Sequence, residues 1–363
     1  MRVKSIELWR LAFSITIVLC HASVLPWNVY PEGGLRFSVS TQGVEFFFLL
    51  SGFLMAQSVS RANGKMLPQE TVQLGTETFS FLIKKMKPII PIYLFAAIFE
   101  LAMHLLLRTN PPEGLAYRLW DFLFLRAAGL GYGRISAVGG GWYISAMFLS
   151  MWILYPLLRK FTDTFTFIVA PLVAVFLYGY FEIQHGHINF ALHMKNGVCL
   201  GLLRAIAEMC NGVFCFGLCG QLKQHLSGKQ YSWPVTAGEF LGIGTALVCT
   251  FIYKRNTTDF LILFLLSVGI ICAFSGKSHT MRLLAAIPQK WISNISVLSL
   301  CLYLNHYVWI NTLQNWKVAV PFWHVFYIYL ILSFLTALAC FFTVKYIGLL
   351  LESHKARKAA CQQ

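Results

Sequence analysis

The stretch Ile6-Glu-Leu-Trp-Arg-Leu-Ala-Phe-Ser-Ile-Thr-Ile-Val-Leu-Cys-His21 places ionisable side chains inside an otherwise apolar segment. In a helix, Arg10 and His21 are three turns plus about 20° apart, so they share one face about 16 Å apart along the axis. Glu7 and Ser14 fall on the same stripe. Ionisable groups at membrane depth are costly and usually face a bundle interior or a water-filled cavity. The stripe therefore predicts one wall of a site inside a helical bundle.

The composition excludes a water-soluble domain. Of the 363 residues, 57% are hydrophobic and only 12% are charged, and apolar stretches of about 18 to 25 residues recur along the chain. The net charge of +15 lies in short loops between these stretches, so membrane topology explains it and we predict no nucleic-acid partner. The cysteines form no CxxC pair, and we predict no metal site.

We predict an all-α polytopic transmembrane bundle of about ten spans, with one membrane-embedded domain over 1–363 and no appended soluble domain. Lysine and arginine are about twice as frequent on the side that carries both termini, which predicts cytoplasmic termini. The segment 117–133 is short and interrupted by Arg126 and glycines, so we expect a re-entrant or interfacial helix there. The predicted spans are 8–26, 43–60, 89–107, 142–158, 165–182, 202–222, 235–253, 260–275, 293–314 and 323–347.

Glu45 opens the second predicted span, which descends from the side where the first span ends. We therefore expect Glu45 and His21 at similar depth. A carboxylate beside an imidazole fixes its tautomer and raises its basicity, as a general base requires. The alternative is a glutamate exposed to water at the membrane interface.

A basic cluster, Lys84, Lys85 and Lys87, precedes Pro88 at the start of the third span. Such a cluster suits a phosphate-rich ligand that approaches from the cytoplasm. It equally suits anchoring of the helix end at an anionic lipid surface. The charges alone leave both interpretations open.

The ninth span brings Ser299, Tyr303 and His306 to the i, i+4 and i+7 positions of one helix face. A second intramembrane histidine in register with two hydroxyl groups favours a contribution to the same cavity as His21. The alternative is a histidine that is satisfied within the core.

Together these motifs resemble the acyltransferase 3 family of integral membrane proteins, which O-acylate bacterial surface glycans, usually with acetyl groups. The resemblance rests on segments in the family's order: Arg10-x(10)-His21, Gly43-Val-Glu-Phe-Phe-Phe-Leu-Leu-Ser-Gly-Phe53, Lys84-Lys-Met-Lys-Pro-Ile-Ile-Pro-Ile-Tyr93, Trp142-Tyr-Ile-Ser-Ala-Met-Phe-Leu149, Tyr155-Pro-Leu-Leu158 and Ser299-Leu-Cys-Leu-Tyr-Leu-Asn-His306. Lys85-Met-Lys-Pro88 stands where many members have Arg-x-x-Arg, so lysines must supply that charge here.

The resemblance implies a mechanism for the predicted site. Acyl-CoA, with acetyl-CoA as the expected donor, would place its phosphates on Lys84, Lys85 and Lys87 and pass its arm along Arg10. His21 would act on the acceptor hydroxyl or carry the acyl group, with Glu45 orienting it. We assign Trp142, Tyr303 and His306 to substrate binding.

The family also implies a setting for the protein. It predicts an inner-membrane enzyme with no permanently bound cofactor, whose partners are membrane lipid, a glycan acceptor and the machinery that assembles the glycan. Two other functions share the polytopic bundle and stay open on the sequence: a transporter or flippase for a glycan or small solute, and a sensor that has lost the chemistry.

Overall fold

The computed structural model describes residues 3–22, 25, 42–64, 73–107, 118–133, 136–228, 231–252, 257–314 and 322–360. The first half of the chain contains α1 (Lys4–His21), α2 (Gln42–Asn63), α3 (Leu74–Met86), α4 (Ile90–Leu106), the single turn α5 (Leu119–Phe122), a 3-10 turn (Arg126–Ala128) and α6 (Gly141–Lys160).

The second half continues the helical pattern. It contains α7 (Thr162–His185), α8 (Leu200–His225), α9 (Trp233–Ile252), α10 (Thr258–Phe274), α11 (His279–Leu283), α12 (Gln289–Asn305), α13 (Tyr307–Gln314) and α14 (Phe322–Ala360). A short antiparallel hairpin, β1 (Met194–Lys195) and β2 (Val198–Cys199), precedes α8. One π-helical turn interrupts α7 at Phe165–Val169 and another interrupts α9 at Phe240–Gly244.

The predicted all-α membrane bundle is confirmed, and each predicted span is helical over most of its described residues. Among the described helices, six are long and apolar enough to cross a membrane. The pair α3–α4 adds a seventh if it is counted as one span, although it is bent by 54°. The total of ten spans stays a prediction.

The bend between α3 and α4 follows from the local sequence. Lys87, Pro88 and Ile89 separate the two helices, and proline lacks the N–H that an unbroken helix would need at this position. A second proline, Pro91, stands in the first turn of α4, where its fixed φ favours helix initiation. The three-residue break turns the basic end of α3 away from the axis of α4.

Helices α2 and α8 pack closely against each other through glycines. A Cβ atom on Gly52 would collide with the Met209 carbonyl, and one on Gly212 would collide with the Leu49 carbonyl. These two glycines therefore let the backbones approach more closely than any larger residue permits, as is common between membrane helices. The pair holds the middle of α2 in place beside the candidate site.

Two predicted segments differ in detail from the expectation. The ninth span, 293–314, is two helices, because α12 ends at Asn305, α13 begins at Tyr307 and His306 lies at the break. The described part of the predicted segment 117–133, residues 118–133, contains one helical turn and a 3-10 turn. It is held by Asp121, which accepts hydrogen bonds from Arg126 (3.1 Å) and from the backbone N–H of Ala137 (2.9 Å).

Candidate active site

Seven helices line a cavity of about 550 Å³, which lies within the size range of small-molecule binding sites. Helix α1 contributes Glu7, Arg10 and Ser14 to its wall, so the predicted polar stripe does face a cavity from Glu7 to Ser14. The other walls come from α2, α3, α4, α6, α10 and α12 and from the break between α3 and α4. Most of their contributions are apolar: Val44, Phe47, Leu50, Leu54, Ile89, Ile92, Ile144, Met147, Met151, Val297 and Leu300.

One part of the cavity wall is strongly basic. Arg10, Arg61 and Lys85 line it, and Glu7 is the only acidic residue among the described lining residues. Arg10 donates to Glu7 Oε2 (3.1 Å) and to Ser296 Oγ (3.3 Å). Since one carboxylate faces three cations, an excess of positive charge remains for an anionic ligand.

The structure separates the three lysines of the basic cluster. Lys85 lines the cavity, whereas Lys84 and Lys87 are exposed and do not line it. Of the three lysines predicted to bind the donor's phosphates, Lys85 alone lines the cavity, and their role in donor binding stays a prediction. Lys84 and Lys85 occupy the last turn of α3, where neighbouring residues point about 100° apart around the axis.

A polar contact from α6 fixes the position of α3. Arg159 donates to Glu77 Oε2 of α3 at 2.8 Å and also to Asn63 Oδ1 at the end of α2. Arg159 is buried, so the ion pair is shielded from solvent more than a surface pair would be. This contact joins α2, α3 and α6 near the ends that carry Arg61 and Lys85.

Two histidines and a tyrosine form a ring cluster beyond the other part of the cavity. The centroid of the His21 ring lies 5.0 Å from that of His306 and 5.6 Å from that of Tyr307. The expectation that His21 and His306 contribute to one site is supported by this contact. Neither histidine lines the cavity itself, which ends near Ser14 and Tyr303, short of the imidazoles.

Backbone carbonyl groups orient both imidazoles. His21 Nδ1 lies 2.8 Å from the Ile17 carbonyl oxygen, and His306 Nδ1 lies 2.7 Å from that of Tyr303. Because a carbonyl oxygen can only accept, each neutral ring carries its proton on Nδ1. The Nε2 atoms then hold the lone pairs, which is the state that a general base or nucleophile needs.

Glu45 lies elsewhere than expected. Its carboxylate forms an ion pair with Arg204 of α8 at 3.7 Å, and both side chains are buried. Glu45 is two helical turns before Gly52, so it shares the face of α2 that packs on α8, whereas Val44 and Phe47 face the cavity. The Ile17 carbonyl is the group that contacts His21 Nδ1, and an orienting role for Glu45 stays a prediction.

The predicted substrate-binding residues also occupy different places. Tyr303 lines the cavity, donates to the Gly140 carbonyl (3.1 Å) and has its ring 6.1 Å from the His306 ring. It therefore lies between the cavity and the histidines. Trp142 does not line the cavity; its ring packs edge-on against Phe48 at 6.2 Å.

Three cavity residues were not selected from the sequence. Arg61 and Ser51 belong to a row on α2 that repeats every three or four residues, together with Phe47, Leu54 and Ser58. This helical period could have been found by extending a stripe along α2 as we did along α1. Tyr143 follows the tryptophan that drew attention to α6, and its position on the wall carries no separate signal in the sequence.

The fold and this arrangement define a class: a multi-pass membrane protein with two adjacent imidazoles, one half-buried and one buried, beside a cavity that is basic on one side. A model of the acyltransferase domain family matches residues 3–344. The chain belongs to the acyltransferase 3 family, as its motifs indicated, and is a membrane acyltransferase. No curated protein and no solved structure matches the chain at a significant level.

Proposed function

We propose that this protein transfers an acyl group, most simply an acetyl group, from cytoplasmic acyl-CoA to a hydroxyl group of a cell-surface or lipid-linked glycan. The observation that carries the proposal is a single cavity with Arg10, Arg61 and Lys85 on its wall and the His21–His306 pair just beyond Tyr303. Such an order suits a donor with phosphates at one end and a reactive thioester at the other.

In the direct route, His21 Nε2 takes the proton of the acceptor hydroxyl as the oxygen attacks the thioester carbonyl carbon. The C–S bond then breaks, and the CoA thiolate leaves and takes up a proton. In the alternative route, His21 Nε2 itself attacks the thioester carbonyl carbon, the C–S bond breaks and the CoA thiolate leaves. The acceptor oxygen then attacks the acyl carbon, the C–N bond to His21 breaks, and the hydroxyl proton passes to the thiolate. Both routes use the lone pair that the Ile17 hydrogen bond directs to Nε2.

The proposal also assigns a setting. The basic side of the cavity faces the cytoplasm of a bacterial inner membrane, where acyl-CoA is available, and both chain termini lie on that side. The acceptor approaches the histidines from the opposite side. No cofactor stays bound between turnovers, because the donor brings the reactive group with it.

Mass analysis of the surface glycan tests the function in the cell. We expect deletion of the gene to remove one acetyl unit per modified sugar and expression of the wild-type gene to restore it. Mild base should remove the same mass, because an ester is cleaved where an amide is not. A glycan of unchanged mass after deletion would contradict the proposal, and an altered amount of otherwise unmodified surface glycan would favour a transporter.

A further inference from the structure

One hydroxyl group of the cavity wall, that of Ser14, lies on the side nearer to the histidines. Ser14 lies four residues after Arg10 on α1, about 6 Å further along the axis. It lines the cavity and is 1% exposed, and its Oγ atom has no hydrogen-bond partner among the described residues. By contrast, Ser51 and Ser58 on the α2 wall donate to the carbonyls four residues before them.

Tyr143, which also lines the cavity, carries a hydroxyl with only weak partners. It contacts Ser51 Oγ at 3.4 Å and Met147 Sδ at 3.7 Å. Because the Ser51 proton is donated to the Phe47 carbonyl at 2.7 Å, Tyr143 is the donor in its contact with Ser51, and that distance is long for an O–H···O bond. A stronger acceptor in the cavity could therefore take over the Tyr143 proton as well as the Ser14 proton.

A buried hydroxyl without a hydrogen-bond partner is unfavourable, so such a group in a cavity wall indicates a ligand with acceptor atoms. The surroundings of this pair are apolar, with Val44, Ile144 and Leu300 as neighbours in the lining. A neutral acceptor, such as an amide carbonyl, therefore fits better than a charged one. A plain fatty chain has no acceptor and would leave the Ser14 hydroxyl unsatisfied.

We propose that Ser14 and Tyr143 form a binding subsite for the amide-bearing arm of the acyl donor, each donating a hydrogen bond to an amide carbonyl. This inference rests on the proposed function, since it takes CoA as the donor. Along the CoA molecule, the amides lie between the phosphates and the thiol. Along the protein, Ser14 lies between Arg10 and His21 on the same helix, so the two orders agree.

Binding measurements on the purified full-length protein test the subsite without requiring turnover. The ligands are CoA and the adenine nucleotide half of CoA, which carries the phosphates but no arm. The variants are Ser14→Ala and Tyr143→Phe, with Ser58→Ala as the matched control, because Ser58 also lines the cavity but its hydroxyl is already donated to the Leu54 carbonyl (2.8 Å).

We expect Ser14→Ala and Tyr143→Phe each to raise the Kd for CoA by about tenfold, as loss of one hydrogen bond of about 1.4 kcal/mol requires. The Kd for the nucleotide half should stay within about twofold of wild type, and Ser58→Ala should change neither value. The melting temperature of Ser14→Ala should be equal to or above that of wild type, because the substitution removes a buried hydroxyl without a partner.

Two results would overturn the subsite. One is a wild-type protein that binds CoA no more tightly than the nucleotide half, which would show that the arm is not held. The other is a Ser14→Ala variant with wild-type affinity for CoA. A different result would show that CoA is not the donor: wild-type protein would then bind neither CoA nor its nucleotide half.

Discussion

Arg204 is fully buried and is the cation between two buried carboxylates. Its Nε donates to Glu208 Oε1 at 2.7 Å, and its Nη2 lies 3.7 Å from Glu45 Oε1. Removing the cation would leave both carboxylates in a low-dielectric interior, which typically costs about 3 to 5 kcal/mol. The group that sequence motifs associate with catalysis, Glu45, is therefore part of an ion-pair network that holds α2 against α8.

We predict that Arg204→Met strongly lowers the melting temperature of the purified protein. The control is Lys223→Met on the same helix, where an exposed cation is replaced by the same apolar side chain. An exposed substitution of this kind changes stability by about 0.5 kcal/mol or less. Equal melting temperatures for the two variants would show that the buried network does not hold the bundle together.

Lys84 and Lys85 offer a second test at the scale of single residues. Lys85 lines the cavity and Lys84 is exposed. Because a hydrogen bond to a charged group contributes about 1.5 to 3 kcal/mol, Lys85→Ala should raise KM for acetyl-CoA by about tenfold or more. Lys84→Ala should leave KM within about twofold of wild type.

Steady-state kinetics of the two lysine variants therefore decide whether the basic cluster binds the donor or anchors the helix end at the lipid surface. A donor-binding role predicts that the effects differ, and that higher salt reduces the difference. If both variants instead showed the same small change in KM, the cluster would serve only to anchor the helix end at the lipid surface.

At the scale of elements, the contact between α2 and α8 depends on glycine. A Cβ on Gly212 would meet the Leu49 carbonyl and the Phe53 backbone nitrogen, and backbone atoms cannot rotate aside as a side chain can. Gly212→Ala should therefore force the helices apart at a cost of about 1 to 3 kcal/mol. A thermal unfolding measurement should show a lower melting temperature.

Gly220 is the matched control on the same helix, because a Cβ there meets nothing within 4 Å. Gly220→Ala should stabilise the helix by about 0.5 to 1 kcal/mol through reduced backbone entropy. The two alanine substitutions are thus expected to change the melting temperature in opposite directions. A stabilising effect of Gly212→Ala would contradict the close approach of α2 and α8.

The elements also show where prediction from sequence ends. The presence of a helix can be predicted from the length of an apolar segment. The polar face of α1 can be predicted from the spacing of its polar residues. The partner of a buried polar residue depends on which other helix packs against the face that carries the residue. The sequence does not show which helix that is. Glu45 shows the difference: its depth is readable from α2, but its partner, Arg204, lies 159 positions further along the chain.

At the scale of the whole molecule, the positions of Arg10 and His21 were predictable from spacing, but the enclosing cavity was not. Its walls come from helices that are distant in sequence, with Arg10 of α1 bonded to Ser296 of α12. The break at His306 also carried no clear signal, since 293–314 is continuously apolar enough to be taken as one span. Such features depend on packing among several helices.

The central claim is that His21 acts in acyl transfer from CoA, and labelled acetyl-CoA tests it most directly. Membranes that contain either wild-type protein or His21→Ala would be supplied with donor labelled in the acetyl group. We predict CoA release and label in the glycan with wild type, and a loss of about a hundredfold to ten-thousandfold with His21→Ala at an unchanged melting temperature. Label transfer at the wild-type rate by the folded variant would contradict the account.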